Sequence, residues 1–289
     1  TVSIANNDSD ESPYEFAIQG TGVAPEIKVE GNSVEIVDGD SEPSTADGTD
    51  FGSADVDGGT VTRVFTVRNE GSADLSLTGS PMVAIDGVHA SEFTVTAGPT
   101  SPLAAAGSTT FEVTFDPGDS GTRSATVSIG SNDSDEDPYE FAIQGTGVAP
   151  EIKVEGNSVE IVDGDSEPST ADGTDFGSAD VDGGTVTRVF TVRNEGSADL
   201  SLTGSPMVAI DGVHASEFTV TAGPTSPLAA GGSTTFEVTF DPGDSGTRSA
   251  TVSIANNDSD ESPYEFAIQG TGVAPEIKVE GNSVEIVDG

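Results

Sequence analysis

Closely spaced carboxylates are the feature of this 289-residue sequence that best suits binding chemistry. An acidic segment, residues 38–59, contains no Lys or Arg and is longer than most connections between strands. Carboxylate oxygens are typical ligands of Ca²⁺, which takes about 6–8 oxygens at short range. The candidate ligands are Asp38, Asp40, Glu42, Asp47, Asp50, Asp55 and Asp57, and a second copy of the segment supplies Asp163, Asp165, Glu167, Asp172, Asp175, Asp180 and Asp182.

A shorter acidic cluster, Asp133, Asp135 and Glu136, falls in a predicted turn between two strands. Folding such groups together without a cation costs electrostatic repulsion. The acidic segment is not an EF-hand, because Pro43 stands where that loop needs Gly. The sequence predicts one or more weak Ca²⁺ sites suited to extracellular calcium, and no other cofactor. The alternative is a solvated acidic surface, as in proteins from salty water.

The sequence offers few residues for other kinds of catalytic or binding chemistry. The absence of Cys excludes disulfides, thiolate catalysis and Cys-ligated zinc. The two histidines, His89 and His214, have no nucleophile elbow or paired motif beside them, so we expect no enzymatic activity. A net charge of −42 repels nucleic acid. No apolar run approaches the roughly 20 residues of a membrane-spanning helix, so we expect no membrane insertion.

The sequence repeats itself with a period of 125 residues. The short stretch 20–25 (GTGVAP) recurs at 145–150 and 270–275 and is the natural boundary. We therefore predict two complete domains, residues 23–147 and 148–272. Residues 1–22 would be the last strands of a preceding repeat, and 273–289 the first strand or two of a following one. The chain would then be a window cut from a longer array.

Within one repeat the apolar residues alternate with polar ones, which is the pattern of half-buried strands. Phe111, Val113 and Phe115 share one face, as do Tyr139 and Phe141. Segments of this kind, separated by Gly, Pro, Asn and Asp, number seven or eight per repeat. No convincing amphipathic helix is present. The sequence predicts an all-β fold of tandem immunoglobulin-like β-sandwich domains arranged end to end.

The segments 65–71 (FTVRNEG), 75–77 (LSL), 111–117 (FEVTFDP), Gly121 and 128–147 resemble the choice-of-anchor D repeats of bacterial surface proteins. These are immunoglobulin-like relatives of the ASH and major-sperm-protein-like sandwiches. The resemblance covers nearly the whole repeat and implies a modular, tandem, secreted or surface-anchored protein. It does not extend to the acidic segment and implies no particular binding activity.

Near-identical repeats favour a role in which length matters more than any single site. Residues 1–125 contain 21 acidic and 4 basic residues, so each repeat adds a net charge of about −17 and neighbouring repeats repel each other. We expect a stalk or filament segment of an extracellular adhesin or surface fibre. Its contacts would be neighbouring repeats and, in a filament, lateral copies of itself. The alternative is a multivalent module that binds a protein or glycan through its loops, with residues 81–88 the least charged candidate patch.

Overall fold

The computed structural model describes residues 1–276, 279–281 and 284–286. Strands dominate this part of the chain, and its two helical segments are 3-10 turns of three residues, Ala90–Glu92 and Ala215–Glu217. The chain divides into two compact units. Unit 1 comprises residues 1–54 and 58–147, and unit 2 comprises residues 55–57 and 148–289. The predicted all-β fold is confirmed.

The strands of the first half of the chain form one hairpin and a two-layered sandwich. They are β1 (Val2–Ile4), β2 (Tyr14–Phe16), β3 (Ile27–Gly31), β4 (Val34–Ile36), β5 (Asp50–Asp55), β6 (Val61–Asn69), β7 (Val83–Asp86), β8 (Phe93–Ala97), β9 (Ser108–Phe115), β10 (Gly121–Ile129) and β11 (Tyr139–Val148). β1 and β2 pair with each other alone. The other nine form a five-stranded sheet of order β4-β3-β6-β9-β8 and a four-stranded sheet of order β5-β11-β10-β7.

Unit 2 repeats this topology. Its strands are β12 (Ile152–Gly156), β13 (Val159–Ile161), β14 (Asp175–Asp180), β15 (Val186–Asn194), β16 (Ala209–Asp211), β17 (Phe218–Ala222), β18 (Ser233–Phe240), β19 (Gly246–Ile254) and β20 (Tyr264–Val273). The sheets have the orders β13-β12-β15-β18-β17 and β14-β20-β19-β16. A further hairpin joins β21 (Val279–Gly281) to β22 (Val284–Ile286). Of the predicted segment 273–289, residues 277–278, 282–283 and 287–289 lie outside the described residues.

Each unit buries its own core of 21 apolar residues at equivalent positions. Phenylalanine rings fill most of the space between the sheets, and Phe93 stacks on Phe115 with ring centroids 4.8 Å apart. Gly145 must lack a side chain, because a Cβ there would lie 2.4 Å from the Phe115 ring. Burial of each such ring contributes about 2–3 kcal/mol, so the alternating pattern in the sequence is the main determinant of the sandwich.

The Asn of the FTVRNEG segment, Asn69, is a buried hydrogen-bonding residue at the end of β6. Asn69 is 1% exposed, and its amide Nδ2 donates to the carbonyls of Ala73 at 2.7 Å and Leu103 at 3.0 Å. Its Oδ1 accepts from Gly71 N at 3.0 Å. This side chain ties together three segments of backbone, which explains why the Asn and the following Gly occur together.

Each sandwich has nine strands where the alternation suggested seven or eight. β5 lies inside the acidic segment, where Phe51 and Ala54 are buried three residues apart. In the equivalent β14 the register shifts between Asp175 and Ser178, so a bulge interrupts the period-2 pattern and hides the strand in the sequence. In contrast, the alternating segment 75–77 forms only isolated bridges.

Candidate functional site

The carboxylates of the acidic segment are distributed along its backbone and serve local turns. Asp40 Oδ1 accepts from Glu42 N at 2.9 Å, and Asp55 Oδ1 accepts from Asp57 N at 2.9 Å. Asp47 is buried and accepts from both Thr49 N and Thr49 Oγ1. These bonds fix the backbone of the segment without bringing its carboxylates to one point.

Two further carboxylates of this segment bond across to the last strand of the unit. Asp38 Oδ1 accepts from Glu140 N at 2.7 Å, and Asp50 Oδ2 accepts from Gln144 Nε2 at 3.0 Å. The same bonds recur in unit 2, where the equivalent carboxylates are Asp163, Asp165, Asp172, Asp175 and Asp180, while Glu167 and Asp182 donate backbone N–H groups to Asp165 and Asp180. The Ca²⁺ site predicted in this segment stays a prediction.

Among the described residues, potential metal-ligating side chains gather in one place, the turn between β19 and β20. Glu151, Asp258, Asp260 and Glu261 each offer an oxygen, and these oxygens all lie within 4.8 Å of one another. Two oxygens that bind the same Ca²⁺ at about 2.4 Å are at most about 4.8 Å apart. The four carboxylates, here called the turn cluster, are therefore close enough to share one cation.

Asp258 and its neighbour Asn257 hold the turn in place. Asp258 is 2% exposed, and its Oδ2 accepts from Ile152 N at 2.7 Å, which joins the turn to the start of β12. Asn257 Oδ1 accepts from Ser201 N at 2.6 Å, and its Nδ2 donates to Asp199 O at 3.1 Å. The bond to Ile152 also places Glu151, the preceding residue, beside the turn.

Glu261 has the least favourable environment in the turn cluster. Its Oε2 is buried and has no hydrogen-bond partner. Burial, followed by the charges of Glu151, Asp258 and Asp260, raises the pKa of Glu261 to about 7. Burial is also the main cause of the raised pKa of Glu151 and of Asp258. A cation in the cluster would relieve this repulsion and supply a partner for Glu261 Oε2.

A cavity of about 170 Å³ lies beside the turn cluster, and Glu151, Glu261 and Tyr264 form part of its wall. Lys153, the single Lys between residues 29 and 277, also lines this cavity. Its Nζ is 3.3 Å from Glu195 Oε1 and 3.4 Å from Glu160 Oε2. The cavity is thus rich in carboxylates, and its ammonium group is already paired with Glu160 and Glu195.

In unit 1 the predicted residues Asp133, Asp135 and Glu136 occupy the equivalent turn, and the charge of Glu26, just before β3, acts on Glu136. Asp133 Oδ2 accepts from Ile27 N at 2.8 Å, and Glu136 Oε2 is again buried without a partner. Burial, followed by the charges of Glu26 and Asp133, raises the pKa of Glu136. These residues lie in the predicted turn between the last two strands, and Asp258, Asp260 and Glu261 are their equivalents in unit 2. That they bind Ca²⁺ stays a prediction.

Glu26 and Glu151 were not identified from the sequence. Each lies just after the Pro of the boundary stretch, 107 residues before the Asp at the centre of its turn. No local spacing joins residues that far apart. The available signal was the unit topology, because the first strand of each sandwich begins beside the turn between its last two strands.

With the sandwiches described, the sequence can be placed among known domains. The HYDIN/CFA65/VesB-like Ig-like domain family matches residues 45–146 and again residues 170–271. The chain belongs to this family. The two matches fall one in each unit, as expected for tandem immunoglobulin-like repeats. No curated protein has a significant sequence match to the chain.

Solved structures show distant similarity to this Ig-like family member. They include the ASH/PapD-like domain 7 of human CEP192, 17% identical over 43% of this chain and 87% of that one, with a TM-score of 0.26. The Yersinia pseudotuberculosis adhesin InvE is 15% identical over 75% and 56% of the two chains, with a TM-score of 0.26. Domains 4 and 5 of the S-layer protein SbsC are 14% identical over 88% and 100%, with a TM-score of 0.28. These scores do not decide the function.

No helix in the described residues is long and apolar enough to cross a membrane.

Proposed function

We propose that this chain is a structural segment of a large extracellular repeat protein, an adhesin stalk or surface fibre, and has no enzymatic activity. The observation that carries the proposal is the duplicated core. Each unit closes the same 21-residue apolar interior, and the complete repeats differ at only four positions. One good copy suffices for a catalytic or binding site, whereas added length requires many self-contained copies.

Charge supports the same role. The net charge is −18 for residues 23–147 and −17 for residues 148–272, so neighbouring repeats and neighbouring fibres repel each other, which favours an extended chain over a collapsed one. The boundary stretch is short and contains Pro, so the connection between repeats has little freedom. The finer assignment to the choice-of-anchor D repeats, and location at the cell surface, belong to this proposal.

Length measurements test the structural role. Chains of two and four repeats should show a maximum dimension in small-angle X-ray scattering that rises in proportion to repeat number. Sedimentation should show monomers for a single stalk and discrete larger species for a laterally assembled filament. A maximum dimension that barely changes between two and four repeats would contradict the stalk, because the added repeats would then be folding back on the others.

We further propose that the turn cluster binds Ca²⁺ weakly, with a Kd of about 0.1–1 mM as in extracellular modules. Its support is the shared reach of four carboxylates and the buried, unpartnered Oε2 of Glu261. At 10 mM Ca²⁺ and a Kd near 0.5 mM, binding to the folded state alone stabilises unit 2 by about 2 kcal/mol. The expected rise in the Tm of unit 2 is about 5–10 °C.

The calcium test needs controls for general screening, because any salt stabilises a chain this acidic. Melting curves of metal-free protein should be compared in Ca²⁺, in Mg²⁺ and in NaCl of matched ionic strength. Glu261→Gln should abolish the Ca²⁺-specific part. Glu265→Gln makes the same charge change on an exposed residue of β20 and should leave it intact. An equal shift in NaCl, or a full Ca²⁺ effect in Glu261→Gln, would remove the site.

A further inference from the structure

An apolar groove runs along the open side of the unit 2 sandwich, between the edge strands of its two sheets. It has a volume of about 710 Å³. β16 supplies Ala209 and Ile210, β17 supplies Phe218 and Val220, and Met207 lies just before β16. Met207, Ile210 and Val220 are only partly buried and pack against the core from outside. The groove is therefore a continuation of the core that the sandwich leaves uncovered.

The strands on both sides of the groove have one unpaired edge. β16 pairs with β19 and is the last strand of the four-stranded sheet, and β17 pairs with β18 and is the last of the five-stranded sheet. Unpaired edges present rows of N–H and C=O groups to which another extended segment can bond. In the described part of the chain, no strand covers either edge.

The two edges are not equally suited to accept a strand. β17 carries a register irregularity between Val220 and Ala222, and bulged edges resist further pairing. β16 pairs with β19 in regular register from Ala209 to Asp211. The regular edge is thus the one beside Met207 and Ile210, so a strand added there would lay alternate side chains into the groove.

We propose that this groove binds a short, extended, basic segment of another protein, which adds a strand to β16 and places alternate apolar side chains against Met207, Ile210 and Val220. The choice of partner follows from charge. Asp211 is exposed and directly follows the groove residues of β16, while Glu217 beside β17 is already paired with Arg248. Residues 203–225 contain no Lys or Arg. A second copy of this chain would bring a further charge of −42, whereas a basic segment is attracted.

Unit 1 contains the same residues at the same positions. Met82, Ile85 and Val95 are again partly buried against the core, and β7 and β8 are again edge strands. A partner with several such segments would engage successive repeats and gain avidity without any new contact. This activity goes beyond the structural role proposed above and does not depend on it.

The test uses random nine-residue peptides displayed on phage and selected against the whole chain. Enriched peptides should alternate apolar and polar residues and carry a net positive charge. Synthetic copies should bind at least tenfold more weakly to the double variant Ile85→Lys, Ile210→Lys. They should bind unchanged to Val88→Lys, Val213→Lys, which adds the same charges at valines that are 89% and 90% exposed and lie outside the groove-lining residues.

Two further measurements make the outcome decisive. Amide hydrogen exchange should slow at residues 209–211 when a selected peptide is bound, and Val95→Thr, Val220→Thr should weaken binding if the lysine variants fail to fold. Peptides that are acidic, that bind the lysine variants equally well, or that leave exchange at β16 unchanged would overturn the proposal. So would failure to enrich any peptide, or selected binding explained by pairing of this chain with itself.

Discussion

The two units form an internal comparison, because 125-residue repeats that fold alike differ at four positions and three of these lie in one turn. Gly130, Ser131 and Asp137 of unit 1 are replaced by Ala255, Asn256 and Ser262 in unit 2. This is the turn that carries the acidic clusters. The fourth difference, Ala106 against Gly231, lies in the turn before the strand β9 or β18.

The replacements exchange side chains but keep two hydrogen bonds of the turn. Ser131 N donates to Asp137 Oδ1 at 2.8 Å in unit 1, and Asn256 N donates to Ser262 Oγ at 3.2 Å in unit 2. In the second conserved bond, Asp133 N donates to Ser131 Oγ in unit 1, and Asp258 N donates to Asn256 Oδ1 in unit 2. The comparison teaches that the bonded geometry of the turn is constrained, whereas its charge varies by one unit.

The largest expected effect tests whether the cores of the two units are stable independently of each other. Phe190 is fully buried in unit 2, and Phe190→Ala should destabilise that unit by about 3–5 kcal/mol through lost contacts and a cavity. Unit 1 should keep its stability. Hydrogen exchange of β11 and β20 amides during denaturation distinguishes the units, and Phe65→Ala is the mirror-image control. Equal loss of protection in both units would show a single cooperative structure.

The pH dependence of unit 2 gives the next largest effect. The pKa of Glu261 is about 7 in the folded state and near 4.5 when unfolded, so the folded state holds more protons between these values. In metal-free protein, the contribution of Glu261 to the free energy of unfolding of unit 2 is therefore most favourable below about pH 4.5. It becomes less favourable as the pH rises to 7. The expected loss is about 1–3 kcal/mol.

Glu261→Gln should flatten this part of the pH profile of unit 2, and Glu265→Gln should not. Glu136→Gln provides the comparison in unit 1, where burial raises the pKa of Glu136 in the same direction. The measurement is the free energy of unfolding of each unit between pH 5 and pH 8. A stability of unit 2 that rises over this range in the wild-type chain, but not in Glu261→Gln, would contradict the assignment.

Exchanging the turn residues sharpens the comparison further. Asn256 Nδ2 donates to Ile254 O and Glu261 O, two bonds that the side chain of Ser131 does not make in unit 1. The pair Ser131→Asn, Asp137→Ser gives unit 1 those bonds and removes one carboxylate, and should stabilise unit 1 by about 1–2 kcal/mol. The reciprocal pair should destabilise unit 2 similarly. Denaturation midpoints that do not move toward each other would show that the turn bonds are energetically neutral.

The physics of these elements explains what the sequence could predict. Alternating Phe and Val define most strands, because a half-buried strand shows its period directly in the residues. β5 escaped detection because its buried residues, Phe51 and Ala54, are three apart and break that period, and because the surrounding Asp residues look like a loop. Asp133 and Asp135 lie two residues apart, so the sequence alone places both in one turn. Glu26 reaches the same turn only through the pairing of strands far apart in the chain, which no local pattern records.

The smallest expected effect concerns Ala106, which has a left-handed backbone with φ of 61°, where Gly231 has φ of 73° in unit 2. This conformation costs an L-residue about 1–2 kcal/mol, because its Cβ approaches the backbone. Gly avoids that cost but loses about 0.5–1 kcal/mol more backbone entropy on folding.

The strain exceeds the entropy difference, so Ala106→Gly should stabilise unit 1 by about 0.5–1 kcal/mol. Beyond its own backbone and its two neighbours in the chain, no atom lies within 4 Å of a Cβ built on Gly231, so Gly231→Ala measures the same local strain in reverse and should destabilise unit 2 by a similar amount. Unfolding free energies that shift by equal and opposite amounts support the backbone explanation. If both variants are neutral, entropy and strain cancel, and the difference between the units at this position has no energetic consequence.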